Sequence, residues 1–267
     1  MKIGMSDQLA TLPDTRTPDW AKLLGAADIA PSRLGDAVIE RLTEAIIDGR
    51  LKPGDPLPSE GQIAATFGIS KPIAREALRE LAAMGVIQVQ QGKVSRVRAI
   101  DSGPLARFYR FAVGSTKQGL REAVELRRML EPHIAAFAAE RRTEADIAAM
   151  RAILVRMEET LGDVPAWIEA DLAFHNQIAA MAHNRLVVLQ LKGLEPVVRI
   201  MMVRFNAREA RTMDDWRVTL GRHVRIAEAI EAGDPAAAEA AMRSHFAAAD
   251  AAIRDIFGPD PSPGGTG

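Results

Sequence analysis

The stretch 57–97 leaves this chain little freedom, because it reads as a helix, a tight turn, a second helix and a two-stranded ribbon. Ser59 predicts an N-cap, and Gln62 three residues on completes a capping box, in which each side chain satisfies a backbone N–H at the helix start. A short helix follows with Ile63, Ala64 and Phe67 on one side, and Gly68 breaks it. Ser70 is placed to cap the next helix, and Pro72 fits its first turn, where N–H groups lack helical partners. Ala74, Ala77, Leu78 and Leu81 form the apolar stripe of that helix, and Gly85 ends it. Residues 86–90 and 94–98 then read as strands around a turn at Gln91-Gly92.

Outside the stripe, Lys71, Arg75 and Arg79 lie four apart and share one exposed face. Between Lys71 and Arg98 there are six basic residues and two acidic ones, although the whole chain carries a net charge of only −1. Bulk charge therefore says nothing of a partner, and the local charge does. A basic helix that fits a major groove, beside a basic hairpin carrying Lys93, Arg96 and Arg98, displaces counterions from phosphates and offers donors to base edges.

This stretch resembles the winged helix-turn-helix of the GntR family of bacterial transcription regulators, on the residues GDPLPSE (54–60), GIS-K (68–71) and REAL-R-L (75–81). The resemblance implies that the second helix enters the major groove of a palindromic operator and that the wing tip reaches the minor groove. It implies DNA contacts by Ser59, Lys71, Arg75, Arg79 and the tip residues Gln91, Gly92 and Lys93. Two positions depart from the family pattern. Gly61 stands where an arginine usually follows PSE, and the wing reads GKVSRV instead of a Gly-Thr-Phe-Val-like run.

At 267 residues the chain has room for two domains. It contains no cysteine, which excludes a disulfide scaffold and a thiolate metal site and suits a reducing cytoplasm. No apolar run approaches the roughly 20 residues that span a bilayer, and the N-terminus lacks a signal-peptide core. Residues 1–30 read as an N-terminal extension, either a loose arm or a short helix on Leu23, Leu24 and Ile29. Residues 31–99 read as the winged domain. It opens on a helix from Pro31-Ser32 with Leu34, Val38, Leu42, Ala45 and Ile46 on one face, followed by turn chemistry at 52–55. Residues 100–104 form a linker, and the Pro/Gly-rich 258–267 a disordered tail.

Between them, 104–257 carries almost no strand pattern. Helical segments fall at roughly 104–114, 117–141, 143–161, 164–182, 185–209, 214–232 and 235–257, with Pro196 expected to kink the fifth. The fold class expected is mainly α: a winged helix-turn-helix followed by an all-α antiparallel helical bundle.

Four helices break their own apolar stripes. Asp171 and His175 sit between Ile168 and Ile178, His223 between Leu220 and Ala227, His245 between Met242 and Ala249, and Arg127 between Val124 and Ile134. A lone histidine on an apolar face is ordinarily a core residue satisfied by one hydrogen bond. Burying three imidazoles, a carboxylate and a guanidinium separately, however, costs several kcal/mol of desolvation, roughly what gathering them on a cation removes. One Asp and three His suit a borderline divalent ion: zinc first, with nickel, manganese or iron as alternatives. His133 reads as a surface or satisfied residue, and His183 as an offset to its helix dipole.

This half resembles the FCD domain, the effector domain of the FadR-like branch of the same family, over roughly 104–256. The residues that carry the resemblance are Glu125-Leu126-Arg127, DLAFH (171–175), His223 and His245. The resemblance implies metal ligation by Asp171, His175, His223 and His245, with Arg127 binding an acidic effector beside the ion. Members that bind acyl-CoA lack the full metal set, so a small organic acid is implied. The expected function is a cytoplasmic, homodimeric transcription regulator, a repressor by this reading, whose operator affinity follows that acid. Two alternatives stay open at this point: a metal-dependent enzyme with a DNA-binding appendage, and a regulator with a purely structural metal.

Overall fold

The chain divides into two compact units, Met1–Ile100 and Asp101–Gly267. The computed structural model describes residues 34–89, 94–114, 116–206 and 212–257. The expectations for 1–30, for the wing tip Gln91, Gly92 and Lys93, and for the tail 258–267 lie outside the described residues.

The first unit packs three helices, α1 (Leu34–Ile47), α2 (Glu60–Phe67) and α3 (Lys71–Ala83), around Val38, Leu42, Ile63, Leu78 and Leu81. Each of these large side chains contributes about 1.5–3 kcal/mol by leaving water. The capping box forms as expected: Ser59 Oγ accepts from the Gln62 N–H, and the Gln62 side chain accepts from the Ser59 N–H. Gly68 closes α2 in the left-handed region at φ 66°, a conformation glycine adopts without steric cost. Ser70 occupies the N-cap position of α3, but its side chain makes no capping bond, contrary to expectation.

The ribbon is shorter than the sequence suggests. β1 (Ile87–Gln88) and β2 (Arg96–Val97) pair antiparallel over two residues each. The rest of the ladder comes from a segment the sequence marks as a turn. Gly54 and Leu57 donate to the carbonyls of Val97 and Ser95, and the Val97 N–H donates to Asp55. The chain before α2 thus lies along β2 and ties the ribbon to the helices.

The second unit is all-helical among the described residues: α4 (Gly103–Val113), α5 (Lys117–Arg141), α6 (Glu144–Glu159), α7 (Val164–Met181), α8 (Arg185–Asn206), α9 (Met213–Ala232) and α10 (Pro235–Phe257). Thr143 and Thr212 open α6 and α9 with capping boxes to Asp146 and Asp215, and Gly233 closes α9 at φ 70°. α8 runs through Pro196 and α5 through Pro132. α5 packs on α7 and α10, and α9 on α10. This brings the interrupted stripes of α5, α7, α9 and α10 onto one core.

Candidate functional site

In the first unit, Ser59, Gly61, Gln62, Lys71, Arg75 and Arg79 line one open concavity together with Val94 and Ser95 of the ribbon. Its cations differ in state. Lys71 lies exposed at the first position of α3. Arg75 is gripped by Glu60, with Nε and Nη2 donating to the two carboxylate oxygens at 2.9 and 2.8 Å. Arg79 lies 3.6 Å from Glu76. The fork–fork geometry of Glu60 and Arg75 holds the guanidinium in one orientation before any ligand arrives. The hydrogen bond from Arg75 also draws the Glu60 carboxyl below its ordinary pKa.

In the second unit, one nitrogen from each of His175, His223 and His245 lies within 4.8 Å of the others. Asp171 joins them, with Oδ1 3.0 Å from His223 Nε2 and Oδ2 3.9 Å from His175 Nε2. The outer ring nitrogens are committed elsewhere. His223 Nδ1 donates to the Thr219 carbonyl at 2.9 Å, and His175 Nδ1 donates to Glu131. Arg127 Nε donates to the other oxygen of Glu131. Arg127, Glu131, Asp171, His175 and His223 are all buried.

A neutral imidazole carries one N–H. The Thr219 carbonyl claims it for Nδ1 of His223, so Nε2 meets Asp171 lone pair to lone pair unless a proton or a cation stands between them. Ligands of one ion at ~2.1 Å lie about 3.0–3.4 Å apart, and the 3.0 Å between His223 and Asp171 matches that spacing. His245 Nδ1 is buried and has no hydrogen-bond partner. These features fit a divalent ion held by three imidazoles and a carboxylate, with Glu131 and Thr219 fixing two of the ring orientations.

The protonation states agree. Burial opposes the charge on Asp171, but a proton on His223 Nε2, which like a cation would relieve that contact, and the neighbouring imidazoles draw its carboxyl far below the usual range. Burial also opposes charge on Glu131, yet Arg127 and His175 hold it at about 2. Burial, with repulsion from His223 and His175, pushes His245 well below 6.5, so this imidazole is neutral, as a ligand must be.

A cavity of about 120 Å³ opens beside the cluster, and Arg127, Asp171, His175, Arg222 and His245 reach it. Val124, Trp167, Met201, Met202 and Phe246 make its apolar wall. The volume lies below the ~300–1,000 Å³ of pockets for drug-sized ligands, so the space suits a small metabolite.

The chain matches "Bacterial regulatory proteins, gntR family" over residues 34–97 and "FCD domain" over residues 122–248. It is 32% identical to the HTH-type transcriptional regulator LutR of Bacillus subtilis over 220 residues, which cover 79% of this chain and 97% of that protein. The chain belongs to the GntR family. Other relatives include the HTH-type transcriptional repressor NanR of Cronobacter sakazakii, 26% identical over 84% of this chain and 86% of the relative. The Glc operon transcriptional activator of Escherichia coli is 29% identical over 83% of this chain and 89% of its own length. A solved structure, Streptococcus agalactiae GntR, shares the fold with a TM-score of 0.62 at 24% identity, covering 80% of this chain and 98% of that one.

As a GntR-family regulator with an FCD domain, the chain stands with transcription regulators and apart from enzymes. No described helix is long and apolar enough to cross a membrane. Its helices bring together all four expected ligand residues and place Arg127 at the cavity beside them. His133 is exposed, as expected, and lies 3.8 Å from Glu239. His183 engages Asp146 at 2.9 Å from a backbone at φ 47°. Sequence reasoning assigned no role to three residues of the two sites. Glu131 follows Arg127 on the same stripe and reads as a simple i, i+4 pair, while its second partner lies 44 residues away. Glu60 is 15 residues from Arg75. Arg222 directly precedes the stripe histidine His223, off the apolar face.

Proposed function

We propose that this GntR-family regulator binds a palindromic operator as a homodimer and that a small carboxylic acid, held at a divalent metal site in the FCD domain, sets its operator affinity. The observation that carries this reading is the convergence of one nitrogen each of His175, His223 and His245 with Asp171, beside a small cavity reached by Arg127. Asp171, His175, His223 and His245 would hold the ion, zinc first. Bound there, the ion would act as a Lewis acid that anchors a carboxylate.

The remaining work falls to the chain's own side chains. Glu131 orients His175 and Arg127 at once. Arg127 spends Nε on Glu131, and its terminal nitrogens, with no partner among the described residues, face an incoming carboxylate as a fork. Phe246 stacks 5.4 Å from that guanidinium and, with Trp167 and the methionines, keeps water from the acid's carbon skeleton. A structural ion alone would leave the cavity and the terminal nitrogens of Arg127 without a role.

Coupling to DNA runs through α8. Its C-terminal turns supply Met201 and Met202 to the cavity, and its middle docks α4. Gln190 donates to the Tyr109 hydroxyl at 2.5 Å, and Gly193 faces Leu105. α4 begins three residues after the boundary of the DNA-binding unit at Ile100. A ligand that favours one position of α8 therefore biases α4 and the spacing of two DNA-binding heads, which must match half-sites about one helical turn apart. We read the direction as repression released by the acid, as the relative named a repressor suggests. The relative named an activator marks the opposite sign as the alternative.

The test is the metal content of purified protein, then thermal shifts with small carboxylic acids on wild type and His223→Ala. Bound metal and acid-dependent stabilisation, about 2.7 kcal/mol at one hundred times Kd, both lost in the variant, are expected. Tight metal with no response to any acid identifies a structural ion instead.

A further inference from the structure

Arg222 lies on α9 one residue before His223, half-buried, and lines the same cavity as Arg127, Asp171 and His245. Among the described residues it has no hydrogen-bond or ion-pair partner. That sets it apart from other arginines of this unit. Arg151 pairs with Glu231, Arg199 with Glu169 and Glu195, and Arg243 with Glu239. Its own helix offers no acid at three or four residues' distance, since those positions hold Val218, Thr219, Arg225 and Ile226. Asp171, the carboxylate among the described residues that line the cavity, is engaged by His223 at 3.0 Å.

The charge balance points the same way. Within the site, the carboxylates of Asp171 and Glu131 cancel the guanidiniums of Arg127 and Arg222, and the imidazoles are neutral as ligands. A divalent ion then leaves two positive charges for the cavity's occupant. A monocarboxylate neutralises one of them and leaves a half-buried guanidinium unpaired, which is costly. The rest of the lining is largely apolar, with Met201, Met202 and Phe246, and with Asn206 and Thr219 as its uncharged polar members.

We propose that Arg222 is the specificity-determining residue of this cavity and that the ligand is a short dicarboxylate, one acid group at the cluster and Arg127, the other on Arg222. The inference rests on the acid-sensor reading above and deepens it. Arg222 sets which acid is accepted, while Arg127 and the four ligands set whether any acid binds.

The experiment is calorimetric titration of full-length, zinc-loaded protein with succinate, glutarate and butyrate, on wild type, Arg222→Gln and Arg222→Lys, with Trp167 fluorescence as a second readout. Wild type is expected to prefer a dicarboxylate over butyrate by roughly tenfold or more, as a paired guanidinium fork provides. Arg222→Gln is expected to lose that preference while butyrate affinity and zinc content stay unchanged. Arg222→Lys, which keeps charge but not the fork, is expected to fall between. A wild type that binds butyrate as well as succinate and glutarate, or an Arg222→Gln variant that keeps the preference, overturns the role of Arg222 and leaves the acid-sensor reading standing. Tighter binding of 3-phosphoglycerate than of either dicarboxylate, lost in Arg222→Gln, overturns the dicarboxylate assignment in favour of a phosphorylated acid. Zinc-loaded protein that binds none of these acids overturns both readings.

Discussion

A single carboxylate, Glu131, joins the two chemistries of the second unit. It accepts from His175 on one oxygen and from Arg127 on the other, so one residue orients both a proposed metal ligand and the guanidinium proposed to bind the acid. Glu131→Gln keeps the shape but loses the charge that makes His175 a strong ligand. Metal affinity is expected to drop about 10–100-fold, as for other outer-sphere partners, and competition with a fluorescent chelator measures it. The pH behaviour has a fixed sign. The folded protein holds Glu131 at about 2 against an ordinary 4.5, so its stabilisation is complete above about 4.5 and is lost as pH falls towards 2. Denaturant titrations of metal-free protein across that range are expected to show a shallower acid decline in Glu131→Gln; an unchanged slope contradicts the assignment. The four proposed ligand residues stand out in the sequence because each interrupts an apolar stripe at helical spacing, and the helices bring them together. The roles of Glu131 and Arg222 do not stand out. The first forms its decisive contact 44 residues away, and the second sits one step off a stripe, where only the cavity between helices gives it a face.

Among the elements, α8 links the proposed acid cavity to α4, and α2 supplies Glu60, which holds Arg75. A Cβ at Gly193 would lie 2.8 Å from Leu105 Cβ, with backbone-proximal atoms on both sides and little room to give. Gly193→Ala is expected to push α4 away from α8, costing about 1–3 kcal/mol and altering the acid response of DNA binding while leaving metal affinity unchanged. Thermal melts and a zinc titration on one sample separate these effects. Ser59→Ala removes the capping bond of α2 and is expected to cost about 1 kcal/mol. The helix bounds followed closely from caps and glycines, because those signals are local. The ribbon did not, since its pairing uses Gly54 and Asp55, which the sequence marks as a turn, and Leu57 just after them. Register between segments some 40 residues apart depends on tertiary packing that local periodicity does not encode.

At the scale of the whole molecule, the proposed DNA face and the proposed acid site lie in separate units, so mutations are expected to separate them. Arg75→Ala is expected to weaken operator binding by about 1–3 kcal/mol and to relax base preference. Lys71→Ala is expected to weaken all DNA sequences alike and to lower the salt slope by about one. Neither change is expected to alter acid affinity. The most direct test of the account is fluorescence anisotropy with operator DNA, titrated with the acid in zinc-loaded and chelator-treated protein. The account predicts that the acid shifts operator affinity severalfold or more in the loaded protein, that chelation abolishes the shift, and that zinc restores it. An acid effect of equal size without metal, or bound acid with unchanged operator affinity, would contradict it.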